Sequence, residues 1–179
     1  INSLPGRKII LKGNHDYWWS TRNKIDKFFE ENGISTIEIL YNNAILCEDR
    51  IICGTRGWIN EFGIKSEDER LIRREAQRLE LALTDHDTVD GIDEFLASGR
   101  EHPECEMTVF MHYPPAFGGF VNYDIVDVLY RYGIQNVYYG HLHNVRESQL
   151  DKEYIGIKLY LTSCDYLNFT PVSLPLVEM

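Results

Sequence analysis

The sequence predicts a single α/β-type domain, and three observations support this fold class. Helical and extended patterns alternate from one end of the chain to the other, which is typical of α/β proteins. The 179 residues suffice for one domain with a sizeable core, and no repeat or Pro/Ser-rich linker divides them. Apolar residues make up 44% and charged residues 26% of the chain, which excludes a disordered or fibrous protein. We therefore expect one domain over residues 1–179.

The first predicted strand is the apolar run Ile9–Leu11, which is short and ends at Gly13 as a buried strand does. A helix is predicted next, capped by Ser20 or Thr21 and ended by Gly33. Its core-facing residues are predicted to be Ile25, Phe28 and Phe29.

Two extended runs follow this helix. The first is Thr36–Tyr41, and the second is Ala44–Cys53, which we expect to fold as a hairpin around Glu48-Asp49-Arg50.

The clearest helix starts at Ser66, where Ser66 and Glu69 form a capping-box pattern. One face repeats apolar residues at helical spacing, namely Ile72, Ala76, Leu79 and Leu83. The other face carries a row of arginines, namely Arg70, Arg73, Arg74 and Arg78. We interpret this row as a solvated face that pairs with neighbouring glutamates, with binding to a phosphate or an acidic partner as the alternative.

The C-terminal half is predicted to contain three strands and one helix. Met107–Met111 and Val137–Tyr139 are apolar on both sides and read as buried strands. Asp124–Tyr132 is predicted to be a short helix closed by Gly133. Alternate residues from 155 to 161 are apolar, which indicates a half-buried strand.

The charge balance and the cysteines limit the classes of function. The net charge of −10 argues against general nucleic-acid binding and against docking on an anionic membrane surface. No apolar run approaches the ~18 residues that a membrane span requires. The four cysteines are scattered without a CxxC pair, which indicates reduced thiols and a cytoplasmic protein.

Four of the six histidines share one setting, because each directly follows a predicted buried strand. They are His15, His112, His141 and His143. Ligands of open α/β sheets bind beyond the carboxyl ends of the strands, so we expect these imidazoles at one edge. A single such histidine is more often structural, but the four together predict a metal site. The other two, His86 and His102, lie in polar stretches and are predicted to be on the surface.

The local spacing supports a metal site. In an extended segment residues i and i+2 point the same way, so His141 and His143 can address one cavity or two adjacent metals. Gly140 before them permits an unusual backbone angle or a close approach. Four imidazoles would suit a single tetrahedral zinc, whereas Asn14 and Asp16 indicate a mixed nitrogen–oxygen site.

Three motifs stand in order along the chain: Gly13-Asn14-His15-Asp16, Met111-His112 and Gly140-His141-Leu142-His143. With these motifs the chain resembles the calcineurin-like phosphoesterases, or metallo-dependent phosphatases, from Ile9 to about Ser163. The resemblance implies a four-layer α-β-β-α sandwich of two mixed sheets flanked by helices. It also implies a metal-dependent phosphohydrolase that cleaves phosphate mono- or diesters with two divalent ions (manganese, iron or zinc) and an activated water.

The resemblance further implies a role for each motif residue. The ligands of one metal would be Asn14, His112 and His141. His143 would bind the other metal. His15 would act on the phosphoryl group rather than on a metal, and Asp16 would orient it by accepting its hydrogen bond.

Two further residues at strand ends are candidates for substrate binding. Arg56 could hold a phosphate oxygen with two hydrogen bonds, or form a structural ion pair. Tyr113 follows His112 and could reach the site. Three aromatic residues after the first motif could wall a pocket or pack in the core, namely Tyr17, Trp18 and Trp19.

The family pattern also has two earlier motifs, Asp-x-His and Gly-Asp-x-x-(Asp/His), and residues 1–179 contain neither. They would supply further ligands, including an aspartate that bridges the two metals. The chain begins with Ile1 close to a predicted strand, so we expect these motifs upstream. We expect residues 1–179 alone to bind metal weakly, to be inactive and to be poorly soluble.

Two alternatives remain open at this point. One is a catalytically inactive member of the fold that acts as a protein-binding scaffold. The other is a single-zinc hydrolase of another fold, which would leave Asn14 without a role. The expected partner is a phosphate-ester substrate, whose identity the sequence does not reveal, and neither the metal nor the oligomeric state can be read from it.

Overall fold

The computed structural model of the chain describes residues 1–47, 50–58, 66–84 and 107–174. Its strands are β1 (Lys8–Leu11), β2 (Ile37–Leu40), β3 (Asn43–Cys47), β4 (Arg50–Thr55), β5 (Met107–Met111), β6 (Ala116–Phe117), β7 (Phe120–Val121), β8 (Asn136–Tyr139), β9 (Glu153–Tyr154) and β10 (Ile157–Leu161). Its helices are α1 (Arg22–Glu31), α2 (Ser66–Thr84) and α3 (Tyr123–Arg131), with a 3-10 turn at Glu147–Gln149.

Six strands form one mixed sheet in the order β3-β4-β5-β8-β10-β9. The central strands β4, β5, β8 and β10 are parallel, and the outer strands β3 and β9 are antiparallel to their neighbours. One face of this sheet packs in the main core with α2 and α3, through residues such as Ile51, Val109, Leu79 and Leu129. Burial on both faces explains why β4 and β5 are nearly continuous apolar runs.

A separate two-stranded parallel sheet is formed by β1 and β2. One of its faces packs against the six-stranded sheet, with Leu40 of β2 clustered with Ile45 and Ile52. Its other face packs with α1, where Ile39 clusters with Trp19 and Ile25. The alternation of side chains along each strand places neighbouring residues, such as Ile39 and Leu40, in different clusters.

Gly54 permits the close approach of the two sheets. A Cβ atom at this position would lie 2.3 Å from the carbonyl oxygen of Phe110 and 2.7 Å from Cδ2 of Leu40. Only a residue without a side chain fits there, so a glycine in the interior of β4 is required by packing.

An apolar cavity of about 330 Å³ opens between the two sheets. It is lined by residues that include Ile9, Leu11, Leu40, Ile52, Phe110 and Tyr138. On the same face of the six-stranded sheet, the rings of Phe110 and Tyr138 stack at 5.2 Å, and those of Tyr138 and Tyr160 at 4.7 Å.

The predicted strands and helices are confirmed to within two residues over most of the described chain, and two details are wrong. Phe28 is 55% exposed, because the narrow sheet beneath α1 covers only Ile25 and part of Phe29. Ile155 lies outside β10 in the turn after β9, where its φ is 44°. The predicted solvated arginine row is confirmed only in part. Arg73 contacts the exposed Glu69 at 3.5 Å, whereas Arg74 and Arg78 contact Glu75, which is buried.

Some predictions fall outside the described residues: the turn at Glu48-Asp49, the surface positions of His86 and His102, and the state of Cys105. The capping contact of Ser66 likewise concerns a side chain that is not described. The three described cysteines, Cys47, Cys53 and Cys164, are free thiols. Among the described helices, none has both the length and the apolar composition that would let it cross a membrane.

Candidate metal centre

Parallel strand pairing brings two of the predicted motifs together. Met111 at the end of β5 is in register with Tyr139 at the end of β8. The ladder continues one step further, because the backbone N–H of Gly140 donates to the carbonyl oxygen of His112 at 3.2 Å. The residues that follow both strands therefore emerge side by side at the carboxyl edge of the sheet, as the sequence predicted.

Three side chains from three strand ends converge at this edge. The Oδ1 atom of Asn14, which follows β1, lies 2.7 Å from Nε2 of His112. The same Nε2 atom lies 3.2 Å from Nδ1 of His141. Nε2 of His112 thus lies within 3.2 Å of both an amide oxygen and a second imidazole nitrogen, although Asn14 and His112 are 98 residues apart in the sequence. This is the donor set that the sequence assigned to one metal.

The environment of His112 keeps its imidazole neutral. Burial lowers the pKa of His112 to about 4, and the nearby charges of His141 and Arg56 act in the same direction. At neutral pH a ring with this pKa is the neutral imidazole, which has one N–H and one nitrogen lone pair. Its nitrogen lone pair is then available to a cation, which is the form in which histidine binds metals.

His141 has a left-handed backbone conformation, with a φ of 66°. Such a conformation costs a non-glycine residue about 1–3 kcal/mol and is concentrated at functional sites. The expected backbone irregularity therefore falls on His141 and not on Gly140, where an added Cβ would meet only ordinary contacts at 3.8 Å or more. The buried ring of Tyr113 packs against both imidazoles, with centroids 4.3 Å from His141 and 5.0 Å from His112. Tyr113 therefore does reach the site.

Asp16 does not contact His15, contrary to what the resemblance implied. Its Oδ2 atom accepts a hydrogen bond from the backbone N–H of Gly13 at 2.6 Å, and its Oδ1 atom accepts one from Nε1 of Trp18 at 3.2 Å. Both oxygens of the Asp16 carboxylate are therefore hydrogen bonded within the loop that follows β1. Gly13 leaves room for both groups, since a Cβ would lie 3.2 Å from Oδ2 of Asp16 and 3.3 Å from Cε1 of His112.

Tyr17 takes the place beside His15 that was expected for Asp16. The Nδ1 atom of His15 lies 3.2 Å from the hydroxyl oxygen of Tyr17, and the two rings meet edge to face at 86°. The side chain of Tyr17 is 83% exposed, as is much of Trp18, whereas Trp19 is buried with α1. The aromatic run thus divides between the rim of the site and the core.

The sequence analysis missed one functional candidate, Asp165. Its Oδ1 atom lies 2.7 Å from Nδ1 of His143, and its Oδ2 atom accepts a hydrogen bond from the backbone N–H of Asn144 at 2.8 Å. These hydrogen bonds hold the pKa of the Asp165 carboxyl below its usual range, the backbone contact being the larger cause. Asp165 comes shortly after β10, the neighbour of β8. Its position after a predicted strand is the same signal that indicated the four histidines.

Arg56 borders the converging donors through its backbone. Its carbonyl oxygen accepts hydrogen bonds from the backbone N–H groups of His112 at 3.1 Å and Tyr113 at 3.0 Å. Its guanidinium carbon lies 4.6 Å from the ring centroid of Trp58, a cation–π contact. The structural ion pair considered for Arg56 is not found within the described part of the chain.

The family model of the calcineurin-like phosphoesterases matches residues 1–145, which include all three motifs. The chain belongs to the calcineurin-like phosphoesterase family. This confirms the resemblance drawn from the motifs, and the mixed sheet with its helices is consistent with the fold of the family. No curated protein and no solved structure matches the chain.

Membership in the calcineurin-like phosphoesterases implies divalent metal ions, and the donor set fits one of them in part. Within the described residues, no group of three or more His, Cys, Asp or Glu side chains could hold a metal ion. The third donor of the cluster is instead the amide oxygen of Asn14. The nearby carboxylates are engaged elsewhere, Asp16 with Gly13 and Asp165 with His143. Three neutral donors suit a divalent ion but leave its charge uncompensated, so additional anionic ligands are required.

Proposed function

We propose that this protein is a metal-dependent phosphoesterase that hydrolyses phosphate mono- or diesters. The observation that carries the proposal is the convergence of Asn14, His112 and His141 in a member of the calcineurin-like phosphoesterase family. The proposed fold is the four-layer sandwich. It is supported by the packing of α1 on the two-stranded sheet, and of α2 and α3 on the six-stranded sheet.

Asn14, His112 and His141 would hold one divalent ion, and His143 would contribute to a second. At such a site, bound divalent ions would supply Lewis acidity toward the phosphoryl oxygens and would lower the pKa of a bound water. Imidazole and amide donors are compatible with manganese, iron and zinc. The anionic ligands that such ions require are expected in the Asp-x-His and Gly-Asp-x-x-(Asp/His) motifs of the family.

Asp165 fixes the tautomer and the orientation of the proposed ligand His143. Because an ionised carboxylate only accepts hydrogen bonds, the Nδ1 atom of His143 carries the proton in their contact. Nε2 then keeps its lone pair and is the atom that can bind a cation. Asp165 is in turn fixed by the N–H of Asn144, so the imidazole is held in one orientation.

His15 is the proposed catalytic acid. Its Nδ1 atom is engaged with the hydroxyl of Tyr17, which leaves Nε2 to donate a proton to the departing oxygen of the ester. The exposed position of His15 suits a group that must meet a substrate entering from solvent. Arg56 is proposed to bind a phosphate oxygen of the substrate, as an arginine fork does.

The remaining parts of the proposal follow from composition. A cytoplasmic location is inferred from the free cysteines, and a small phosphate ester rather than nucleic acid is inferred from the net charge of −10. The inactive-scaffold alternative has no feature of the described residues in its favour.

The test is turnover of p-nitrophenyl phosphate and bis(p-nitrophenyl) phosphate by the protein in its natural length, with manganese, iron or zinc supplied. Asn14→Ala should lose metal and activity together, whereas Asn23→Ala, exposed on α1, should keep both. If no ester is cleaved above a metal-only blank, or if Asn14→Ala retains full activity, the proposal is wrong.

A further inference from the structure

A second cavity, of about 210 Å³, lies at the carboxyl ends of β1, β2 and β4. The charged residues that line it are Lys12, Arg56, Arg74, Arg78 and Glu75. We call it the basic cavity. It brings two arginines of the α2 row together with cations from two strand ends, a combination that the sequence analysis did not anticipate.

One buried carboxylate pairs with two of these cations, Arg74 and Arg78. Glu75 is 2% exposed, and its Oε1 atom lies 2.5 Å from Nη1 of Arg78 and 3.7 Å from Nη2 of Arg74. Its Oε2 atom accepts a hydrogen bond from Oγ1 of Thr55 at 2.8 Å. Two guanidinium groups and one hydroxyl group therefore already contact this carboxylate.

Among the described residues, the lining of the cavity carries an excess of positive charge. Four of these residues are cations and one is a carboxylate, and neither Lys12 nor Arg56 forms an ion pair with any residue that the structure describes. Like charges held this close repel one another unless an anion enters. Such a concentration of cations is conspicuous in a chain with a net charge of −10.

The basic cavity adjoins the candidate metal centre. Lys12 precedes Asn14 by two residues, so their Cα atoms are at most about 7.6 Å apart. Arg56 connects the two places directly, because its side chain lines the cavity while its carbonyl oxygen is hydrogen bonded to the N–H of His112. The two sites are therefore neighbours in the structure.

We propose that the basic cavity binds a second phosphate group of the substrate, so that the preferred substrates carry two phosphates. This inference rests on the proposed function, which places the reacting phosphate at the metal centre. A phosphate monoester carries about −1.5 to −2 charges at pH 7 and three acceptor oxygens, whereas a carboxylate carries one charge. The excess of cations in the cavity matches the phosphate, and arginine forks bind phosphate oxygens in pairs.

Binding is tested first without catalysis. The metal-free protein is titrated with inorganic pyrophosphate in the presence of EDTA, and the heat of binding is measured. Arg74→Gln and the double variant Lys12→Gln/Arg74→Gln should raise the Kd by about tenfold and more, the worth of hydrogen bonds to charged groups. Arg73→Gln is the matched control, because Arg73 is the adjacent arginine and pairs with Glu69 outside the cavity.

One further variant and a melting measurement exclude a folding defect. Arg74→Lys keeps the charge and should restore part of the affinity, and each variant should melt cooperatively near the wild-type temperature. Arg78 is not replaced, because its loss would leave the buried carboxylate of Glu75 without its nearest cation. Equal Kd values for the wild type and both Arg74→Gln variants would overturn the proposal, whether or not the protein is an enzyme.

Substrate choice is tested second, with metal supplied. The ratio of kcat/KM for adenosine 3′,5′-bisphosphate to that for adenosine 5′-monophosphate should exceed one and should fall about tenfold in Arg74→Gln. Arg73→Gln should leave this ratio unchanged. A wild-type ratio of one or below would refute the second-phosphate role. If neither nucleotide nor any aryl ester is hydrolysed, the proposed function fails, and the pyrophosphate titration still decides whether the cavity binds phosphate.

Discussion

The Nδ1 atom of His143 lies 2.7 Å from the Oδ1 atom of Asp165, a residue 22 positions further along the chain. The pairing of β8 with β10 accounts for this contact, because the two residues follow the ends of adjacent parallel strands. The second oxygen of the carboxylate accepts the N–H of Asn144, the residue next to His143. Asp165 therefore fixes both the ring and the backbone at the end of the Gly-His-Leu-His motif.

Replacing Asp165 with Asn should weaken metal binding at His143. The substitution preserves the shape of the side chain but removes the charge that holds the Nδ1 proton. Loss of such a partner typically lowers metal affinity by about 10–100-fold. Calorimetric titration of the metal-free protein with manganese should show a weakened second binding event and a preserved first one.

The matched control for this variant is Asp124→Asn, because Asp124 is exposed on α3. It should bind both ions as the wild type does. Two unaltered binding events in Asp165→Asn would show that Asp165 has no influence on His143.

Replacing His15 with Gln should slow turnover without removing metal. A positioned general acid contributes roughly 10²–10⁴-fold to a rate, so kcat should fall within that range. Tyr17→Phe should cost less and should shift the pH profile of kcat, since it removes the hydroxyl that lies 3.2 Å from Nδ1 of His15. Metal content measured by mass spectrometry accompanies the kinetics, and a His15→Gln protein that has lost its metal would show that His15 is a ligand.

Two glycine substitutions beside the metal centre should differ sharply. Gly13→Ala places a Cβ 3.3 Å from the ring of His112 and 3.2 Å from Asp16, so the ring or the loop must move. Gly140→Ala meets nothing closer than 3.8 Å. We expect Gly13→Ala to lower metal affinity by roughly tenfold or more, because it displaces the ring of a proposed ligand or the loop that holds Asn14, and Gly140→Ala to leave it nearly unchanged. Equal affinities in the two variants would contradict this account of Gly13.

The ion pair between Arg7 and Glu38 should stabilise the protein only above acidic pH. Nη2 of Arg7 donates to Oε2 of Glu38 at 2.7 Å, and Nη1 donates to the carbonyl oxygen of Leu46 at 2.5 Å, so Arg7 joins β2 to β3. The hydrogen bond from Arg7 lowers the pKa of Glu38 below its ordinary value of about 4.5. The unfolded chain then binds the proton first, and the stabilisation disappears as the pH falls through the folded pKa.

Urea unfolding of Glu38→Gln and the wild type measures this contribution. At pH 7 the variant should be less stable by about 0.2–1 kcal/mol, the usual worth of a solvent-exposed pair, and the difference should shrink at pH 3. Glu30→Gln, exposed on α1, is the control and should show no such trend. A difference that stays constant from pH 7 to pH 3 would rule out the ion pair as its cause.

The order of the elements and the main donor set could be predicted from the sequence. The apolar runs of β5 and β8 and the helical repeat of α2 are local patterns, and their burial follows from composition and period. The positions of His112 and His141 after strands are also local features, and parallel strands end at one edge, whereas the grouping of Asn14 with them was implied by the family resemblance. Membership in the family also followed from these motifs.

Only the tertiary structure decided the partners of these residues. Tyr17, and not Asp16, contacts His15, because the direction of each side chain depends on how the loop after β1 closes on Gly13. Phe28 remained exposed because the width of the sheet beneath α1 limits how much of the helix is covered. Neither property is encoded in a repeat or a motif.

The basic cavity also depends on tertiary structure and could not be predicted from the sequence. In the sequence, Lys12, Arg56 and Arg74 are unrelated residues of a strand end, a loop and a helix face. The parallel order of the strands and the packing of α2 bring them around one buried carboxylate. Short-range patterns determined which segments form strands and helices, since hydrophobic period and strand-end position are local. The assembly of distant charges was decided by tertiary packing, since no local interaction specifies contacts between residues so far apart in the chain.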